Sequence, residues 1–217
     1  MNRALLLLVM IVALALCAPT QAAEKFATRA QALKAVDDPD PGVRLLAIER
    51  LAAIGTMADA DRLAARLGDE APPVRQYAEL ALLQIWSRSG DRAIDALYLR
   101  GVQQMQAGNL QEALTTFTAI VQKKPGFAEG WNKRATIYYL LGQYEASMKD
   151  CDEVLKRNSK HFGALAGYGQ MYAAQGDYAR AVPFLERALE VNPNLPGVLL
   201  TLQLIREALG EKQRNTI

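Results

Sequence analysis

Gly108, Gly142 and Gly176 stand 34 residues apart, and three other sets of residues keep the same interval. They are Leu110, Tyr144 and Tyr178; Ala113, Ser147 and Ala181; and Gly101, Ala135 and Gly169. Pro125 and Pro193 are 68 apart, with Ser159 in the place between them. A 34-residue period with small, aromatic and proline residues at fixed places specifies stacked helical hairpins. One such hairpin cannot bury its apolar face alone, so the units must stack on one another. The resulting surface generally serves to bind a partner rather than to carry chemistry.

Each place has a physical reason. Two antiparallel helices approach closely only where small residues meet, as Ala135 meets Ser147 and Gly169 meets Ala181. Tyr138, Tyr144, Tyr172, Tyr178 and Trp131 fill the space left over. Gly142 and Gly176 end first helices in the left-handed conformation, and Pro125 and Pro193 close second helices. At these residues the chain resembles the tetratricopeptide repeat (TPR) family, with repeats at 94–127, 128–161 and 162–195. The third fits best, through Gly169, Tyr172, Gly176, Tyr178, Ala181, Ala188 and Pro193. Gln104, Cys151 and Ser159 depart from the pattern. Residues 196–210 read as an amphipathic helix capping the open end.

The resemblance implies that the first helix of each hairpin lines a concave groove. Asp95, Tyr98, Val102, Met105 and Gln106 would line it in repeat 1, and Glu129, Asn132, Thr136, Tyr139 and Leu140 in repeat 2. Repeat 3 would contribute Gly163, Ala166, Gln170, Ala173 and Ala174. The expected partner-binding residues are Tyr98, Val102, Met105, Asn132, Thr136, Tyr139 and Gln170, because exposed Tyr, Met and Asn suit an interface. Leu200 and Leu204 of the capping helix are candidates to cover part of repeat 3. Repeat 2, with its Asn-Lys-Arg-Ala and later Asp-Cys, also resembles chaperone-binding TPR modules, which grip a C-terminal carboxylate through a basic and amide clamp. The clamp positions here are Tyr98, Val102, Lys133, Gly163 and Gly167. That set makes no clamp.

A second period lies upstream. Asp38, Pro41, Val43, Arg44, Ala47, Leu51 and Ile54 recur 31 residues later as Asp69, Pro72, Val74, Arg75, Ala78, Leu82 and Ile85. These segments resemble short HEAT repeats, with the aspartate as N-cap, proline in the first turn and the arginine bracing adjacent turns. The expected fold is therefore all-α, a right-handed α-solenoid with HEAT-like repeats at 23–88, three TPR repeats at 91–195 and a capping helix at 196–210. The short linker 87–91 predicts one continuous superhelix, with the HEAT-like segment packed against the first TPR unit.

Residues 1–22 form a signal peptide by pattern. Arg3 precedes an apolar run from Ala4 to Leu16, and Thr20-Gln21-Ala22 makes a small-x-small cleavage site. An uncleaved anchor, or lipidation at Cys17, is the alternative; Leu16 before the cysteine is unsuited to lipidation. The full chain has 25 Lys and Arg against 23 Asp and Glu, and loss of Arg3 leaves 24 against 23. So balanced a charge gives no electrostatic case for binding nucleic acid. Only Cys151 survives processing, so no intramolecular disulfide is possible, and its place among helices suits a buried thiol.

No residue set carries a reaction. His161 is the one histidine and falls between repeats 2 and 3, and a zinc site needs further His or Cys ligands. Asp37, Asp38 and Asp40 are interrupted by prolines and lack the spacing of a calcium loop. The sequence thus predicts a non-enzymatic protein-interaction module of the bacterial periplasm, binding a protein or peptide segment of the envelope along the TPR groove. It predicts no cofactor, metal, small-molecule substrate or nucleic acid. The alternative is a membrane-anchored assembly factor that orders envelope proteins.

Overall fold

The structure, a computed structural model, describes residues 21–214, so the signal sequence read in 1–20, with Cys17, lies outside the described residues. Within them lie twelve α-helices and two short 3₁₀ turns.

Five helices form the N-terminal segment: α1 (Gln21–Lys25), α2 (Arg29–Ala35), α3 (Pro41–Ile54), α4 (Ala60–Ala64) and α5 (Pro72–Trp86). The start of α2 is fixed by a capping box between Thr28 and Gln31. Asp40 caps α3 by accepting from the Gly42 N–H at 2.8 Å, with Pro41 in the first turn. Ile48, Leu51, Leu63, Leu67, Leu82 and Ile85 make a fully buried core. Arg44 crosses from one 31-residue unit to the next. Its guanidinium donates to the Asp38 and Pro39 carbonyls at 2.9 and 3.0 Å and to Asp69 at 2.7 Å.

Three hairpins follow: α6 (Arg92–Gln106) with α7 (Leu110–Lys123), α8 (Ala128–Leu140) with α9 (Tyr144–Arg157), and α10 (Phe162–Ala174) with α11 (Tyr178–Val191). The turns at Gly108, Gly142 and Gly176 have φ of 79°, 73° and 73°, which glycine adopts without strain. The helix crossings are as close as the small residues require. Ser147 Oγ donates to the Ala135 carbonyl at 2.8 Å. A Cβ at Gly169 would lie 2.3 Å from Leu185 Cγ, and one at Gly101 2.6 Å from the Phe117 ring. Ala181→Leu, in the same buried crossing, is therefore expected to cost about 1–3 kcal/mol by overpacking, read as a lower urea midpoint. Arg134 braces the second hairpin through two 2.7 Å bonds to the buried Asp150 carboxylate. The last helix, α12 (Pro196–Arg214), buries Val198, Leu202 and Ile205 against Ala181 and Leu185.

The N-terminal segment does not simply continue the stack from repeat 1. Its core takes in Phe162 at the start of α10, Val191 at the end of α11 and Leu195 from the turn before α12. Trp86 stacks on His161 with centroids 4.6 Å apart and meets Phe162 at 5.1 Å. Arg75 repeats the role of Arg44, donating to the Asp69 and Glu70 carbonyls. Where Arg44 reaches the next unit's aspartate, however, Arg75 reaches Asn194 Oδ1 at 3.1 Å. Asn194 in turn donates to the Leu67 carbonyl at 2.7 Å. The turn between α11 and α12 thus occupies the place a third N-terminal unit would take. Gly90, with φ 73°, permits the reversal between α5 and α6. Arg88 holds the linker by donating to the Gly55 carbonyl at 3.0 Å, and Asp95 holds it by accepting from the Ser89 N–H at 2.8 Å.

Candidate interaction surface

The 34-residue register puts equivalent positions of α6, α8, α10 and α12 on one face. Tyr98, Asn132, Ala166 and Leu200 form one row, and Val102, Thr136, Gln170 and Leu204 the next. Exposure along these rows is uneven, and Tyr98, Met105 and Asn132, expected to be exposed on the groove, are half-buried.

Tyr98 is wedged between Phe117 and Phe127, with ring centroids 5.8 and 5.7 Å away, both edge-on. Its hydroxyl points at Glu129 Oε1, at 3.4 Å. Burial, then the Glu129 charge and hydrogen bond, push its phenol well above the usual range. Val102 and Met105 are half-buried against the same cluster. Asn132 is half-buried and donates to Glu129 at 3.2 Å. Tyr139 stacks on Tyr144 with centroids 5.6 Å apart, and Gln170 is half-buried. Of the seven expected residues, Thr136 alone is exposed.

The node that ties this region together is Glu129, which sequence reading placed on the groove without further role. It is 4% exposed. Lys133 Nζ lies 3.0 Å from one of its oxygens, and His161 Nε2 3.0 Å from the other. His161 caps α10, its Nδ1 accepting from the Ala164 N–H at 3.1 Å. The ring hydrogen facing Glu129 is therefore on Nε2, which donates. Burial by itself would raise the Glu129 carboxyl. Lys133 and the His161 bond outweigh it and pull the group down to about 2. A depressed carboxylate contributes stability above its unfolded value of about 4.3 and loses it as the pH falls through the folded value. The stability gap between wild type and Glu129→Gln should thus be constant above pH about 5 and close toward pH 2, in denaturant titrations across that range. The one signal in the sequence was Lys133 four residues after Glu129.

The accessible apolar side chains lie further along the face. Leu140, Leu200 and Leu204 are each 56% exposed. Leu200 and Leu204 thus do not cover repeat 3; they extend its rows outward. Among other groups singled out by sequence, Cys151 is buried, and burial with Asp150 and Asp152 beside it pushes its thiol up to about 12. That keeps it protonated and unreactive at neutral pH. Asp37 pairs with Arg62, and Asp38 accepts from the Asp40 N–H at 2.9 Å.

Stacked hairpins whose first helices share a face with unpaired leucines have the build of a protein-interaction scaffold rather than of a reaction site. The particular family follows from comparison. The tetratricopeptide repeat profile matches residues 98–159 and again 132–196. Residues 98–196 are thus tetratricopeptide repeats. A TPR repeat-containing protein of Rhizobium etli is 32% identical over 108 residues, covering 50% of this chain and 53% of that protein. Human Superkiller complex protein 3 is 25% identical over 127 residues, 58% of this chain and 8% of its own. The chain therefore spans about half the length of the first relative and a small part of the second. Among solved structures, the first TPR domain of Spaghetti (RPAP3), bound there to an HSP90 peptide, has TM-score 0.52 and 24% identity, covering 54% of this chain and 93% of that one. The Yersinia enterocolitica translocator chaperone SycD has TM-score 0.52 and 19% identity, covering 54% and 95%. Both likenesses concern the fold.

Proposed function

We propose that this protein is a non-catalytic docking module of the bacterial cell envelope, exported by its N-terminal 22 residues. It takes an extended or helical segment of a partner protein along the face shared by α8, α10 and α12. The observation that carries the reading is the exposure of Leu140, Leu200 and Leu204 on that face. Exposed large apolar side chains in one register mark a contact surface. Thr136 and Gln170 lie on the same face and supply hydroxyl and amide groups to a backbone or polar side chain. A TPR domain of the same fold holds an HSP90 peptide in the Spaghetti structure. Here the clamp positions include Gly163 and Gly167, which bring no cation, and Lys133, whose charge is engaged by Glu129 at 3.0 Å. Recognition then rests on apolar and neutral polar contacts, with little dependence on a partner's terminal carboxylate.

Leu200→Glu with Leu204→Glu tests the reading. Both positions are exposed, so unfolding should stay within about 0.5 kcal/mol of wild type. Capture of partner proteins from envelope extract should be lost. Full retention of every partner would place the binding site elsewhere. The intact mass of the protein recovered from the envelope should lack residues 1–22. The full-length chain in the membrane fraction would instead favour an anchored assembly factor.

A further inference from the structure

We infer that the N-terminal segment is a strut that fixes the curvature of the TPR stack by tying repeat 1 to repeat 3. Stacked hairpins are held through contacts between neighbouring units, and their curve is the sum of small rotations from each unit to the next. A tie between units that are not neighbours sets that sum.

α5 supplies the tie. Near its start, Arg75 donates to Asn194 Oδ1 at 3.1 Å, two residues before α12. At its end, Trp86 stacks on His161, the cap of α10, and meets Phe162, the first residue of that helix. After residues 87–91 the chain enters α6, the first helix of repeat 1. A linker of that length reaches at most about 20 Å, and two bonds take up its slack. Arg88 donates to the Gly55 carbonyl at 3.0 Å, and the Ser89 N–H donates to Asp95 of α6 at 2.8 Å. Repeat 1 is thus leashed to the seat of Trp86 on repeat 3.

That seat also joins the units to one another. His161 Nε2 donates to Glu129 at 3.0 Å, Asn132 donates to the same carboxylate at 3.2 Å, and the Tyr98 hydroxyl lies 3.4 Å from it. Tyr98 belongs to repeat 1, Glu129 and Asn132 to repeat 2, and His161 caps the first helix of repeat 3. The register explains why the segment docks there and not before repeat 1. Ile137 and Met171 are equivalent and fully buried, each packed with the second helix of the preceding unit. The same position in repeat 1 is the exposed Gln103, which offers a preceding unit no apolar seat. Phe162, Val191 and Leu195 offer one. On the function proposed above, a face held at one width before a partner arrives loses less freedom on binding.

Spin labels at Gln106→Cys and Ala174→Cys, equivalent exposed positions of repeats 1 and 3, report the curvature as a distance in the free protein. Cys151 is buried, so the two new thiols carry the labels. The otherwise native chain should give one narrow distance distribution. Inserting four Gly and Ser residues after Gly90 adds about 11 Å of flexible reach and removes no packed side chain. The distribution should then broaden by several ångström. Trp86→Ala, which frees the other end of the tie, should broaden it too; should that variant fail to fold, the insertion alone decides. A distribution unchanged by either folded variant would overturn the strut, since the stack would then hold its curve unaided. So would one already broad in the otherwise native chain. No partner is present in these measurements, so the outcome stands apart from which surface binds one.

Discussion

Trp86→Ala is expected to lower the stability of the folded chain by about 3–5 kcal/mol, among the largest effects available to one substitution. Trp86 is 5% exposed at the end of α5 and fills the space against His161 and Phe162. Truncation leaves an aromatic-sized void beneath two rings that cannot close over it, because His161 is held by both Glu129 and Ala164. The N-terminal segment would then rest on its remaining apolar contacts with Phe162, Val191 and Leu195, on Arg75–Asn194 and Asn194–Leu67, and on the exposed Lys160–Asp61 pair. Surface ion pairs contribute about 0–1 kcal/mol, too little to replace the ring. Denaturant unfolding followed by circular dichroism should move to a lower midpoint, and protease should cut more readily at 87–91. A midpoint equal to wild type would mean that the segment is not held through Trp86.

Tyr98→Ala should cost about 3 kcal/mol through lost burial between Phe117 and Phe127. Tyr98→Phe removes only the 3.4 Å approach to Glu129 and should stay within about 0.5 kcal/mol of wild type. Thr136→Ala, at an exposed position of the same face, should do likewise. The same urea titration measures all three. An unperturbed Tyr98→Ala would return Tyr98 to the accessible groove and remove it from the core.

The hairpins were legible in the sequence because their determinants recur. The 34-residue interval fixes where Gly108, Gly142 and Gly176 turn the chain and where Ala135 can touch Ser147. Tyr98 shows where that legibility stops. The register places a residue on a face, but its depth depends on neighbours from other helices, here Phe117 and Phe127. Leu200 and Leu204 carried a usable signal, since they continue the Asn132–Ala166 and Thr136–Gln170 intervals, but their covering or exposure turned on how α12 rotates over α11. The docking of the N-terminal segment had no such signal. Trp86 with His161, and Arg75 with Asn194, are single long-range contacts that no period repeats. A short linker suggested continuity, whereas the left-handed Gly90 lets the chain reverse within it.

The binding face can be tested directly by placing a photo-reactive amino acid at position 140, 200 or 204 in the native envelope, with position 149 as a control. Lys149 is exposed on α9, a second helix, away from the rows that the first helices share. Positions 140, 200 and 204 are expected to cross-link to a common partner protein, and 149 is not. A partner that cross-links from 149, with none from 200 or 204, would contradict this.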